Sequence, residues 1–292
     1  MLSERKARIN VILSMFIYGT IGLFVRYIPL PSSVISMVRG LIGAPFLLLI
    51  VYLQKKSLNK RDIKANIAPI LISGSLLGFN WILLFEAYHY TTVATATLCY
   101  YLAPIILLAV SPFTFGERLS VRKVLCILAA LFGMVFVSGV AKNGIPSIAE
   151  FKGVLLGVAA AVLYACIVIT NKHITNISAY DKTIMQLAVS AVWMLGYNLV
   201  TGSFAQYGEM NGIAILMLAV LGIVHTGIAY LLYFGSTEAL SSQTLGILSY
   251  IDPVVAVLLS ALVLKEAMGI YEVLGAVLVL GAAFISELPE KI

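Results

Sequence analysis

Residues 91–117 read TTVATATLCYYLAPIILLAVSPFTFGE, and residues 240–266 read LSSQTLGILSYIDPVVAVLLSALVLKE. The second stretch repeats the pattern of the first 149 residues later: Thr95 falls on Thr244, Tyr101 on Tyr250, Pro104 on Pro253 and Glu117 on Glu266. Working outward, the same offset carries Trp81 onto Tyr230, Leu83 onto Leu232 and Phe85 onto Phe234, and it holds from Trp81–Gly139 against Tyr230–Leu288. Toward the start of each half the match loosens and the offset drifts to 146, where Tyr18 meets Tyr164 and Arg26 meets Lys172. Self-similarity at a fixed period marks a chain built from like units. The expected units are residues 1–143 and 144–292, joined in one compact domain.

Composition says which solvent these units face. Of 292 residues 61% are hydrophobic and only 11% charged, and the mean hydropathy is +1.03. Roughly half of a soluble domain is apolar; this chain has too few charges to cover a core in water, so lipid is the implied solvent. The net charge of +6 then needs no nucleic acid, because Lys and Arg between apolar runs meet lipid headgroups. Cys99, Cys126 and Cys166 lie within apolar runs without metal or CxxC spacing and read as small hydrophobes. The charged stretch Glu4–Arg8 leads into an apolar run with no small-residue cleavage site at signal-peptide distance, so the first span is expected to stay.

Ten apolar runs of about 20 residues, each enough to cross ~30 Å of hydrocarbon, are expected at 8–28, 32–53, 66–88, 92–113, 120–140, 151–172, 181–201, 211–235, 243–263 and 269–287. Placing the N-terminus inside puts 14 Lys and Arg on the inner side and 3 in the outer loops. By the positive-inside rule both termini are cytoplasmic, which for a bacterial cell means the inner or cytoplasmic membrane. Five spans is an odd number, so a second set of five enters from the opposite side. The fold expected is an all-α integral membrane protein of ten transmembrane helices in two inverted five-helix repeats, related by a pseudo-two-fold axis in the membrane plane.

The segments Phe85-Glu-Ala-Tyr88, Tyr101-Leu-Ala-Pro104 and Gly116-Glu117, with Tyr250-Ile-Asp-Pro253 and Lys265-Glu266 in the second copy, resemble the EamA family of the drug/metabolite transporter superfamily over essentially the whole chain. The resemblance implies ten helices in two inverted repeats and the carriage of amino acids, nucleosides, amines or other small metabolites, more often outward than inward. Small multidrug exporters of that superfamily use a Glu in their first helix; here the first helix has no acid. Nucleotide-sugar and triose-phosphate carriers place basic residues deep in the bundle. Here only Arg39 lies well inside a span, which disfavours a phosphorylated cargo.

Ionisable groups in lipid are costly, and each is a functional suspect. Asp252 precedes Pro253, which donates no backbone hydrogen bond and loosens the helix. A carboxylate beside freed carbonyls suits a proton, a cation or an amine; it equally suits a structural bond to a neighbouring hydroxyl. Glu86, near the outer end of its span, could take a proton from outside or pair with Arg26 or Arg39. Arg39 has a planar fork that fits carboxylates and could hold a substrate or neutralise Glu86. His225 could titrate in a proton-coupled cycle or be a satisfied packing residue. In the first repeat the counterpart of Asp252 is Ala103, and in the second that of Glu86 is Gly235, so these acids break the symmetry.

The aromatics make a set. Thr226, Tyr230, Tyr233 and Thr237 follow helical spacing on one stripe. With Trp81, Tyr101 and Tyr250 they are expected to line a central cavity suited to a small apolar or cationic molecule. Packing or interfacial belts are the plainer alternative, and the belt reading is preferred for Tyr88 and Tyr90. Pro104 and Pro253 mark bends. Glu117 and Glu266 read as span ends beside Arg118 or Lys265. No Walker A, HExxH, GxSxG or Asp-rich metal pattern occurs, so neither a metal, a cofactor nor direct ATP coupling is expected. The expected partners are a small-molecule substrate, lipid and, where transport is proton-coupled, protons, and the expected assembly is a monomer or homodimer. The function implied is that of a secondary metabolite transporter, most readily an exporter, with an uptake carrier, a passive channel and a lipid-modifying membrane enzyme as the alternatives.

Overall fold

In hydrocarbon a chain must satisfy its own backbone hydrogen bonds, and a helix does so within one segment. The computed structural model describes residues 3–55, 57–116, 119–138, 147–205 and 211–288, and every element among them is helical. Eight helical stretches are long and apolar enough to cross a membrane. Large side chains such as Leu49, Tyr52, Phe113, Leu199, Val200 and Leu262 stand exposed on the outside, as they do when the surrounding solvent is lipid.

The first span, Glu4–Arg26, consists of α1 (Glu4–Gly19) and α2 (Ile21–Arg26) around Thr20. It is followed by α3 (Ser32–Leu53), a short helix α4 (Lys60–Ala65) where a loop was expected, and α5 (Ile67–Tyr90). The fourth span divides into α6 (Val93–Tyr100) and α7 (Ala103–Phe115), and α8 (Val121–Val137) follows. The second half holds α9 (Ile148–Asn171), α10 (Ala179–Thr201), and α11 (Gly212–Val220) running through a π-helical segment, Leu221–Ile228, into α12 (Ala229–Phe234). It ends with α13 (Ser242–Ser249), α14 (Ile251–Leu262) and α15 (Ile270–Glu287). Among the described residues, Ser, Thr or Asn caps start seven of these helices by accepting a backbone N–H from three residues on. Two caps fall at equivalent positions: Thr92 accepts from Thr95 at 3.0 Å and Ser241 from Thr244 at 3.1 Å.

Eight of the ten expected spans are helices long and apolar enough to cross a membrane, and the fifth and tenth are shorter. The expected fifth span is α8, whose 17 residues reach about 26 Å, short of the ~30 Å core. The expected tenth is α15, with an apolar stretch Ile270–Ser286 that is also shorter than the rest. These two lie along each other, and the contact needs glycine on both sides. A Cβ on Gly133 would stand 3.0 Å from the Gly275 carbonyl oxygen, and one on Gly275 would stand 2.7 Å from that of Gly133. Elsewhere α5 packs on α9 and α10, α3 on α10 and the π segment, α6 on α9 and α14, and α1 on α12 and α14. The main core collects Ile35, Leu47, Phe85, Leu187, Met194 and Leu221 between the two halves.

Candidate functional site

Proline determines where the fourth and ninth expected spans break. Pro104 lies in the first turn of α7, directly after the turn residues Tyr101 and Leu102, and Pro253 lies in the first turn of α14, directly after Tyr250. A proline leaves the carbonyl four residues earlier without its helical donor; for Pro253 that carbonyl belongs to Ser249. The Tyr101 hydroxyl stands 3.2 Å from it and 2.7 Å from Asp252 Oδ2. The freed carbonyl and the carboxylate of one half therefore share a phenol from the other. One phenolic hydrogen faces two acceptors. An ionised Asp252 takes it; a protonated Asp252 can donate to the phenol oxygen, leaving the phenol hydrogen for Ser249. Both protonation states find hydrogen bonds without rebuilding the helix.

Arg39 is only 2% exposed. Its Nε–H donates to Thr226 Oγ1 at 3.1 Å, and its guanidinium lies 4.0 Å from the centre of the Trp81 ring and 5.3 Å from that of Phe85. Thr226 in turn donates to the Leu221 carbonyl, five residues back, at 2.9 Å. This i−5 bond belongs to the π segment, a geometry that recurs at functional sites. His225 is 1% exposed, and both ring nitrogens have partners: Nδ1 is 3.3 Å from the Val220 carbonyl and Nε2 is 2.7 Å from Thr20 Oγ1. The Phe24 ring meets it edge-on at 4.9 Å. The imidazole thus joins the break in the first span to the π segment.

Glu86 pairs with neither arginine suggested by the sequence. It accepts a hydrogen bond from Ser32 at 2.9 Å, while Arg26 forms an ion pair with Glu266 at 2.5 Å and donates to the Thr91 carbonyl at 3.2 Å. Glu266 is accordingly more than a span end beside Lys265. Its other oxygen accepts from the Val93 backbone at 2.9 Å and from Ser260 at 2.5 Å, gathering α2, α6 and α14 at one end of the bundle. Glu117 and Arg118 lie outside the described residues.

A shell of phenols lies around Arg39 and Asp252, with Tyr18, Tyr88 and Tyr100 near both. Tyr18 meets Tyr230 edge-on at 5.8 Å, Tyr100 meets Tyr164 at 5.5 Å, and Tyr101 meets Tyr250 at 6.3 Å. Tyr88 is buried and so does not belong to an interfacial belt. Tyr230 and Tyr233 are half-buried and follow the π segment, whose wider turn shifts the expected stripe; Thr237 sits in a separate 3-10 turn, bonded to Phe234. Pockets of about 250 Å³ beside Arg26, Tyr90 and Glu150 and about 500 Å³ beside Pro45, Leu49 and Tyr52 lie away from the phenol shell. Among the described residues no group of three His, Cys, Asp or Glu side chains could hold a metal.

Tyr18, Tyr100, Tyr164 and Thr20 were not singled out as site residues from sequence. Tyr18 and Tyr164 carried one signal, their match at 146 in the loosely repeated first helices. The π segment had none, since helical periodicity assumes one fixed turn.

The profile of the EamA-like transporter family matches the chain twice, over residues 5–139 and 151–287. The chain belongs to that family. It is a multi-span membrane protein of a transporter family, and its activity class is transport rather than enzymatic catalysis. Uncharacterized transporter YxxF of Bacillus subtilis (strain 168) is 33% identical over 255 residues, which span 87% of this chain and 80% of that protein. Aromatic amino acid exporter YddG of Ancylobacter novellus is 28% identical over 187 residues, 64% of this chain and 63% of that protein. A protein of known crystal structure shares the fold with a TM-score of 0.65 at 19% identity, over 97% of this chain and 98% of its own.

Proposed function

We propose that this chain is a secondary transporter that exports a small organic metabolite of the amino acid, amine or nucleoside class by alternating access, with proton exchange at Asp252. The observation that carries the reading is the Tyr101–Asp252 contact, made between the two halves where both chains of helix are broken by proline. A carboxyl group that is bonded in either protonation state, at a mobile joint between two units, can load and release a proton as the units rock.

The helix packing supports ten spans in two inverted repeats, residues 1–143 and 144–292. Exchanging each helix of the first half for its counterpart turns the α5–α9 contact into that of α12 with α1, the α10–α5 contact into that of the π segment with α3, and the α6–α9 contact into that of α14 with α1; all of these occur. The α3–α10, α6–α14 and α8–α15 contacts map onto themselves, as pairs across a two-fold axis do. Gly78 and Gly227, 149 residues apart, each receive the second helix of the other half: a Cβ on Gly78 would meet Ser190 Oγ at 2.8 Å, and one on Gly227 would meet the Phe46 ring at 2.5 Å. The family match in two copies points the same way.

On this reading Trp81, Tyr101, Tyr230, Tyr233 and Tyr250 form the substrate walls, Arg39 and Asp252 its charged contacts, and Glu86 and His225 belong to the gates. Both termini face the cytoplasm, from the distribution of Lys and Arg. Export is favoured over uptake by the family resemblance and by the name of the Ancylobacter relative. Counterflow in proteoliposomes is the test. Acceleration of labelled substrate by unlabelled substrate on the other side identifies a carrier; unaccelerated, non-saturating flux identifies a channel and rejects the proposal.

A further inference from the structure

We infer that the transported molecule carries a carboxylate, which the two terminal nitrogens of Arg39 bind as a fork, with the rest of the molecule a small apolar body against the phenols and Trp81. This rests on the placement of the substrate site proposed above and narrows it, since free amines and nucleosides lack the group. The inference begins from charge. Arg39 stays protonated in any environment a protein provides, and removing such a cation from water costs several kcal/mol unless an anion compensates. Among the described residues the ion pairs are Arg8–Glu4 and Arg26–Glu266. Glu86, the acid that could have neutralised Arg39, is held by Ser32 instead, and Asp252 is held by Tyr101.

What Arg39 has is one hydroxyl on Nε and two ring faces. A cation over an aromatic ring recovers only part of what removing the charge from water costs. Of five N–H donors, one donates to Thr226, and among the described residues no acceptor stands against the four on the terminal nitrogens. One hydrogen of each terminal nitrogen points from the end edge of a plane whose orientation is already fixed. Trp81 lies against its face, Thr226 holds its Nε corner, and the Leu221 carbonyl in the π segment holds Thr226. A fixed planar fork with an open edge is the geometry that meets a carboxylate with two parallel hydrogen bonds. A single positive charge balances one carboxylate and falls short of a phosphate dianion, and the phenols around it suit an apolar body with a few polar contacts.

The test uses the purified full-length chain and four probes that share one ring: 3-phenylpropionate, phenylalanine, phenethylamine and 3-phenylpropionamide, with 4-methylvalerate as an aliphatic carboxylate. Binding is measured by calorimetry and by ligand-dependent thermal stabilisation. The carboxylates are expected to bind about tenfold to a hundredfold more tightly than the amine and the amide, the range expected for hydrogen bonds to a charged partner. Arg39→Lys keeps the charge and loses the fork, and is expected to erase most of that preference. If a variant at position 39 fails to fold, the ligand series on the native protein still decides. Equal binding of the amide or amine, or a folded protein that binds none of the carboxylates, overturns the inference. Carboxylate binding without counterflow in proteoliposomes supports the Arg39 site and removes the transporter reading. Counterflow of phenethylamine with no carboxylate binding does the reverse and overturns the inference.

Discussion

Tyr101 and Asp252 are 151 residues apart in sequence and 2.7 Å apart in space. Each lies at a proline-broken joint, and the second acceptor of the tyrosine is the carbonyl that the second proline releases. In the proposed mechanism this contact couples the protonation of Asp252 to the joint between the two halves.

Replacing Asp252 by Asn removes the exchangeable proton and keeps a polar group within reach of Tyr101. The expected outcome is a protein that still performs counterflow but no longer concentrates substrate against its gradient when a proton gradient is imposed. Proteoliposome flux measured across a series of pH gradients checks this. Unchanged dependence on the proton gradient counts against Asp252 as the carrier.

Tyr101→Phe removes the hydroxyl that bridges the halves at this joint. A hydrogen bond to a charged group contributes about 1.5–3 kcal/mol. The variant should therefore melt earlier in detergent while keeping its helical content. The double variant Tyr101→Phe/Asp252→Asn should lose less than the sum of the single changes, because both remove the same contact.

Trp81→Ala and Tyr230→Ala test the walls. Each ring removes a large apolar contact from the proposed site, and aromatic residues dominate binding energy at buried contacts. Affinity for whichever probe binds the native protein should fall at least about tenfold in each variant. Intact affinity in both would reject the wall assignment. Trp81 also supports Arg39, so Trp81→Ala should additionally weaken the preference for carboxylates, which Tyr230→Ala should leave in place.

The repeat made much of this structure legible. Tyr101 and Tyr250, with Pro104 and Pro253, could be read as joints because a proline's effect on a helix is local. Composition was enough to identify lipid as the solvent, because hydropathy sums over residues whatever their contacts. Partnerships were another matter. Glu86 is half-buried, Arg39 is buried and their charges are opposite, yet Ser32 reaches the acid and Thr226 the base. Glu266 looked like a span end because its partner Arg26 is 240 residues away. In the π segment the side chains of His225 and Thr226 bond carbonyls five residues back, a distance that a search at helical period does not sample. Tyr18 and Tyr164 escaped selection because the repeat is loosest where the helices adapt to different neighbours.

Gly275→Val inserts a side chain where the backbone of Gly133 and the Val137 side chain leave no room, since even a Cβ would stand within 2.8 Å of both. Overpacking of this kind costs about 1–3 kcal/mol. The variant should be less stable, most visibly as separation of α8 from α15, which cysteine crosslinking between the two helices would report. Gly281→Val, on the same helix with nothing within 4 Å of a Cβ there, is the control and should leave stability within about 0.5 kcal/mol.

Glu266 gathers three elements with one carboxylate, and its replacement separates charge from shape. Glu266→Gln keeps a hydrogen-bonding oxygen for the Val93 backbone or Ser260 but loses the charge facing Arg26. Glu266→Ala loses both. The pair is partly open to water, with Arg26 32% and Glu266 13% exposed, so the ionic part alone should be worth about 1 kcal/mol and weaken in high salt. The backbone N–H of Val93 and the hydroxyl of Ser260 would be left unpaired by the alanine variant, at about 1–3 kcal/mol for each group that water does not reach. Thermal melts of both variants at low and high salt distinguish the terms. A glutamine variant as damaging as alanine would mean that the ion pair, and not the cap on α6, holds this end of the bundle together.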